Sequence, residues 1–297
     1  MKKKCWVTNW RKYNQALKQR GSLTFWFEEE FERAWYDYAI PKKSARPFTY
    51  LDVCIKILAT MKYVFNKALR QLEKFVVSLF KMKGITLQVP NFFRMCCRLG
   101  DVVCELKFPK PERISHVVID SCSLKVFGEK EWLKTKMGET YQRKIWREIH
   151  IGVDGKGNIL DIQMTNHKTS GRVMLKTITE NIETEFIDEL LGDGGYARHY
   201  NYRYLKENNI NTLIFPLKNA RIIENIPDLE THNNIVAYIN EKDFTLGKKN
   251  NFYRLKTIFG RKLKSKNWHT LESETNLIAH LLNQMINFGM PEKMKVS

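Results

Sequence analysis

The stretch His116-Val117-Val118-Ile119-Asp120-Ser121-Cys122-Ser123-Leu124-Lys125-Val126 decides how the chain is read. Val117, Val118 and Ile119 run straight into Asp120. A short apolar, β-branched run of this kind reads as a strand buried on both faces. An ionised aspartate is almost never buried unless it is paired or binds a metal. Asp120 is therefore either a structural carboxylate, hydrogen-bonded to backbone or to an arginine, or a ligand of a divalent cation. The sequence on either side has to decide.

The chain has 297 residues, enough for one large domain or two small ones. A hydrophobic fraction of 43% supports a packed core and excludes wholesale disorder. Fifty Lys and Arg stand against 32 Asp and Glu, a net charge of +18. That balance favours a polyanionic partner, nucleic acid first and a membrane surface second. No apolar run approaches the ~18 residues of a transmembrane helix. The basic start Met1-Lys2-Lys3-Lys4-Cys5-Trp6 is followed by no apolar signal core. The expectation is a cytoplasmic protein with no membrane segment. Cys5, Cys54, Cys96, Cys97, Cys104 and Cys122 form no CxxC pair and no His pair has zinc spacing. They are expected as reduced, mostly buried thiols.

Residues 1 to about 48 are basic and aromatic, with Trp6, Trp10, Tyr13, Trp26, Phe27, Trp35 and Tyr36. Thr24 could cap a helix whose first turn holds Glu28, Glu29 and Glu30. Pro41 to Pro47 reads as a basic linker. From 50 to about 83 the spacing predicts helices, through Leu51, Ile55, Leu58 and Met61 and then Leu72, Phe75, Val76 and Leu79, closed by Gly84. Val89-Pro90-Asn91 opens a further helix carrying Arg94 and Arg98. Short helices in a basic chain fit a helix-turn-helix-like DNA-binding region over residues 1–106, or else a plain helical bundle.

Lys107-Phe108-Pro109-Lys110-Pro111 is a stiff linker and the expected boundary. Beyond it the pattern changes to strands at 117–126, 145–153 and 159–164, with the first hairpin turn at Asp154-Gly155-Lys156-Gly157-Asn158. A helix capped by Ser170, a strand from Phe186 to Leu191, a helix with Tyr200, Tyr204 and Leu205, and a strand Thr212 to Phe215 follow. Three strands, then helix, strand, helix, strand give a mixed five-stranded α/β sheet, antiparallel first and parallel after the crossovers.

Asp193 is the second carboxylate. It stands at a strand end, in the turn Gly192-Asp193-Gly194-Gly195-Tyr196 that opens a helix. Ligands of α/β sheets cluster at such strand ends, although an Asx turn would also use an Asp there. If the strands of Asp120 and Asp193 are neighbours, ~4.8 Å apart, their carboxylates can share the divalent ions of an in-line phosphoryl transfer. Oxygen ligands suit Mg²⁺ or Mn²⁺. From Lys242 to Lys266 the chain is strongly basic, including Arg254, Lys256, Lys262 and Lys264. Phe252, Leu255, Phe259 and Leu263 make one apolar helical stripe through it, and the charges suit phosphate contacts.

These residues carry a resemblance. The chain resembles the DDE transposases of bacterial insertion sequences, in the group with an RNase H-like catalytic domain. The likeness runs through Asn9-Trp10…Tyr13-Asn14, Arg20-Gly21-Ser22-Leu23, Leu69-Arg70-Gln71 and Val118-Ile119-Asp120-Ser121. It continues with Trp146-Arg147…His150…Val153-Asp154, Gly192-Asp193-Gly194, Tyr253-Arg254-Leu255-Lys256…Phe259-Gly260 and Leu282-Asn283…Met285…Gly289-Met290-Pro291. It implies an RNase H-like catalytic domain over 112–290 with Asp120 and Asp193 as catalytic, metal-holding carboxylates. It implies Mg²⁺-dependent cutting of terminal inverted repeats and joining to target DNA, by a homo-oligomer on duplex DNA associated with the nucleoid. Arg94, Arg98, Arg254, Lys256, Lys262 and Lys264 are the expected DNA contacts.

The departures from the family pattern are as informative. The third carboxylate, a Glu seven residues before Lys256, is Lys249 here, and Lys242 and Thr245 replace the Tyr and Arg expected before it. A protonated lysine repels a divalent cation. Glu241 and Asp243 could substitute only if their loop folds back. Arg94-Met95-Cys96-Cys97 also departs from the small-polar and basic pattern of the DNA-binding helix. Two readings follow: an impaired or intact transposase, or a catalytically inactive DNA-binding protein of transposase descent. A basic RNA-processing nuclease on the same fold is a more distant third.

Overall fold

The computed structural model describes residues 5–22, 31–36, 50–104, 108–126, 146–166, 169, 173–214, 233–234 and 250–295. Thr24, the 41–47 linker, Ser170, Phe215, Glu241, Lys242, Asp243, Thr245 and Lys249 lie outside them. The chain divides into two compact units, Met1–Leu106 with Asn276–Ser297, and Lys107–Thr275.

In the first unit, β1 (Cys5–Val7) leads into α1 (Trp10–Gln19), followed by α2 (Asp52–Val64), α3 (Leu69–Lys83) and α4 (Phe92–Cys104). Trp35, Leu58, Met61, Leu72, Val76, Phe80 and Met95 form its core. Gly84 ends α3 in the left-handed region at φ 71°, where only glycine is unstrained. The α3–α4 connection is longer than the three- or four-residue turn of helix-turn-helix motifs. Asn91 Oδ1 accepts the Arg94 N–H at 2.9 Å and so caps α4.

The division differs from the sequence-derived boundaries at its C-terminal end, because residues 276–297 group with the N-terminal unit. There β8 (Lys293–Lys295) pairs antiparallel with β1. Asn9 donates through Nδ2 to the Met290 carbonyl at 2.9 Å and accepts the Glu292 N–H at 2.9 Å. The Asn9 and Gly289-Met290-Pro291 motifs, far apart in sequence, thus meet. Pairing of this range leaves no local sequence signal.

The second unit is a mixed α/β sheet. Its strands are β2 (Val117–Val126), β3 (Trp146–Asp154), β4 (Ile159–Asn166), β5 (Glu189–Gly192), β6 (Asn211–Ile214) and β7 (Lys262–Leu263). They run in the order β4-β3-β2-β5-β6, with β7 added to β2. The first three are antiparallel; β2, β5 and β6 are parallel through the crossovers α5 (Met174–Ile182) and α6 (His199–Glu207). This is the mixed sheet, antiparallel first and parallel after the crossovers, that the order of elements in the sequence predicts. α7 (Asn250–Ile258) precedes β7, and α8 (Trp268–Asn287) follows it. Ile119, Leu175, Ile178, Leu190, Tyr196, Leu205 and Ile214 pack one face of the sheet.

Three expectations change. The sheet gains a sixth strand, since β7 is only two residues long and reads as part of the apolar stripe before it. Phe252, Leu255 and Phe259 are buried as that stripe requires, but the helix stops at Ile258, Gly260 turns the chain at φ 96°, and Leu263 is on a strand. The thiols are less buried than expected: Cys54 is buried, Cys122 is intermediate, and Cys96 and Cys97 are exposed. α4 packs through Met95 and Leu99, which turns Cys96 and Cys97 outward.

Candidate active site

β2 places Asp120. Its β-branched run is flanked by β3 along nine register pairs, from Val117↔Asp154 to Lys125↔Trp146. On its other flank β5 pairs at Val117↔Leu190, Val118↔Leu191 and Ile119↔Gly192. Further on, β7 pairs at Lys125↔Lys262 and Val126↔Leu263. The two partners leave a break between them over 120–124. The register that ends at Ile119↔Gly192 brings Asp120 and Asp193 to adjoining positions at its rim.

Asp120 is 4% exposed, and its Oδ1 accepts the Ser121 N–H at 2.6 Å. Asp193 turns the chain off β5. Its Oδ1 accepts the Gly195 N–H at 3.0 Å, and its carbonyl accepts the Tyr196 N–H at 3.0 Å. A Cβ on Gly195 would come within 2.9 Å of Asp193 Oδ1, so a side chain there would push on the carboxylate. Among the described residues no cluster of three or more His, Cys, Asp or Glu side chains could hold a metal. Lys249 precedes α7 directly but is outside the described residues, as are Glu241 and Asp243.

His150, opposite Ser121 on β3, is fully buried. Its Nε2 is 2.9 Å from Thr165 Oγ1. Burial lowers its pKa to about 4, so the ring is neutral near pH 7. Burial raises the Tyr196 phenol well above its ordinary value, opposed in part by Ser121.

The basic residues fall in both units. Arg254 and Lys256 are half-buried on α7, Lys262 is exposed on β7, and Lys264 is half-buried just beyond it. Burial lowers the Lys264 pKa, and Glu274 opposes the shift. Glu274 has no sequence signal of its own, being one acid in a long helix. It is 2% exposed and accepts the Lys264 N–H at 2.8 Å and the Ser265 N–H at 2.7 Å, which fixes the basic segment after β7. In the N-terminal unit Arg94 is exposed, its guanidinium 5.9 Å from the Tyr50 ring centre. Arg98 instead donates to the Asp52 carboxylate and the Tyr50 carbonyl, which ties α4 to the start of α2. Among the described residues no helix is long and apolar enough to cross a membrane.

A family model described as a transposase DDE domain matches residues 111–270, more than half of the chain, and a second of the same description matches residues 18–129. The chain belongs to the DDE transposase family. This is a family of enzymes that cut DNA and transfer strands, and it implies dependence on a divalent metal. Among solved structures, the transposase is similar to a piggyBac transposase synaptic complex with hairpin DNA, at 10% identity and a TM-score of 0.44, over 94% of this chain and 76% of that one. It is also similar to a simian T-cell lymphotropic virus intasome in complex with PP2A regulatory subunit B56 gamma, at 9% identity and a TM-score of 0.30, over 74% of this chain and 64% of that one.

Proposed function

We propose that this transposase binds the terminal inverted repeats of an insertion sequence as duplex DNA, and that Asp120 and Asp193 hold the divalent ion, Mg²⁺ or Mn²⁺, used in end cleavage and strand transfer. The supporting observation is the parallel register that brings the two carboxylates to adjoining positions at the break in the sheet. Their donor set fits one hard cation. When bound, the metal would stabilise charge on the attacking or leaving oxygen of an in-line displacement. The Ser121 N–H and the Asp193–Gly195 turn hold the two carboxylates in place. Lys256, Lys262 and Lys264, with Arg254, are the proposed backbone contacts in the catalytic unit, and Arg94 the contact from α4. Arg98 is proposed to act indirectly, by fixing α4.

Impaired catalysis is part of this reading, since two carboxylates stand at the break and Lys249 occupies the third position of the family pattern. The alternative is an inactive DNA-binding descendant. End cleavage on duplex carrying the element's own terminal repeat, with and without Mg²⁺, separates them. The unaltered chain should cut slowly and Lys249→Glu faster. No cutting by either, with repeat binding intact, would favour the inactive descendant. Equal rates would remove Lys249 from the third position and make Glu241 and Asp243 the next residues to change. Binding should weaken steeply with salt, with a log–log slope of about 0.9 per neutralised phosphate. A flat salt dependence would rule out a backbone-dominated interface.

A further inference from the structure

The first helix, α1, turns an aromatic and basic face to solvent that the reading above leaves unused. Residues 1–27 carry seven Lys and Arg, with no acid before Glu28. Arg11, Lys12 and Lys18 are exposed, and so are Trp6 at 66% and Trp10 at 56%. Tryptophan is usually well buried, because its ring offers a large apolar area. Two so bare and so close in sequence ask for a partner.

The inner side of α1 is already occupied. Its buried residue, Ala16, lies against Gly289, with its Cβ 3.7 Å from where a side chain on that glycine would start. Asn9 anchors the helix start through Met290 and Glu292. Half-buried Tyr13 packs against Trp10, ring centres 6.0 Å apart and planes inclined at 60°, with the Arg20 guanidinium 6.0 Å from the Tyr13 ring. The Trp10 ring is thus supported and yet open to solvent. Trp10, Asn14 and Leu17 follow one another at helical spacing, and Arg11 and Lys18 run beside them.

Charge and pattern choose the occupant. A second copy docked by a two-fold axis would set this patch against itself, cation against cation. An anionic membrane needs a continuous apolar face, and here Asn14 and the cations break the apolar groups apart. An unpaired nucleic-acid strand fits both features, since its phosphates meet the cations while its bases stack on the rings. Enzymes of a family that cuts DNA and transfers strands meet unpaired nucleotides at the ends they make. We infer that Trp10 and Trp6, flanked by Arg11 and Lys18, form a stacking site for unpaired DNA bases, built from residues other than the duplex contacts proposed above and independent of the carboxylate pair.

The test is fluorescence anisotropy of a labelled oligothymidylate with the full chain in EDTA, beside an abasic strand of equal length and thermal melting. The unaltered chain should prefer the strand that carries bases. Trp10→Ala should weaken that strand about tenfold, the scale of one base stacked on an aromatic ring, and leave the abasic strand unchanged. Trp10→Phe should keep most of the preference. Arg11→Gln with Lys18→Gln should weaken both strands alike, because only phosphate contacts are lost. Asp120→Asn should bind as the unaltered chain does, so failure of the carboxylate reading would leave this result standing. Equal binding of the two strands by the unaltered chain, or a Trp10→Ala variant that keeps the preference, would overturn the inference. If Trp10→Ala melts early, Trp6→Ala decides by the same criterion. Sedimentation with phosphatidylserine vesicles, or self-association, that Trp10→Ala abolishes while oligonucleotide binding is kept would assign the face to a membrane or to a second copy instead.

Discussion

The two flanks of β2 are built differently. One carries a ladder of nine register pairs with β3, continued by the β3–β4 hairpin. The other is shared by two short parallel partners, three pairs with β5 and two with β7. The ladder flank is apolar and fully buried around Ile149 and Ile151. The divided flank brings together the charged and glycine-rich residues. A long antiparallel ladder fixes a strand against slippage, since a one-residue shift turns every side chain to the other face. With β2 held on one side, its other side can be left open for chemistry. Changes on the ladder flank should therefore move stability, and changes at the break should move activity.

The largest effect is expected at the break. Asp120→Asn should lower Mg²⁺-dependent end cleavage by roughly 10³-fold, corresponding to several kcal/mol of metal-borne charge stabilisation, with little change in melting. Undiminished cleavage would remove Asp120 from the site and undo the contrast between the flanks.

The next effect belongs to the ladder. His150 has a pKa of about 4 in the folded chain, against an unperturbed value of 6.5. Between those values the unfolded chain binds the extra proton, so stability rises with pH there. It is fully present above the unfolded value and is lost as pH falls through it towards the folded one. The loss should approach about 3 kcal/mol. Urea melts across pH 4 to 7 would show it, and His150→Asn should flatten the dependence.

Gly195→Ala tests the break without touching a carboxylate. The new Cβ would displace Asp193 Oδ1, from which it would be 2.9 Å. A misplacement of this kind costs on the order of 10²-fold in cleavage rate. Melting should be nearly unchanged. The smallest effect is the reverse case, Gly152→Ala on β3. Its Cβ would meet Ile182 Cδ1 at 2.6 Å and Ile178 Cγ2 at 2.7 Å. Overpacking there should cost about 1–3 kcal/mol in chemical denaturation. The cleavage rate of the folded fraction should stay the same.

The sequence makes these flanks legible to different degrees. Val117 to Ile119 announce a buried strand because β-branched runs have few other uses, and Asp120 is conspicuous for interrupting one. Asp193 is legible from the glycines that mark a strand end. The β7 contribution is not legible, because Lys262 and Leu263 continue the basic and apolar patterns of the helix before them. Arg94 and Arg98 look alike in sequence, and only the placement of Asp52 and Tyr50 separates the exposed one from the docked one.

The bonds from Asn9 to Met290 and Glu292 join segments 281 and 283 positions apart. At the usual 5–20 residues per second, a ribosome would take roughly 15–55 s to make the second partner after the first. Throughout that interval β1 lacks its strand partner, and Arg20, just past α1, lacks the Met285 carbonyl that it reaches at 3.4 Å. The first unit to begin emerging is thus among the last parts of the chain to close. A chain released early, for instance after Thr275, should leave α1 open to proteases that spare it in the full chain. Limited proteolysis of the two lengths would show whether closure waits for residues 276–297.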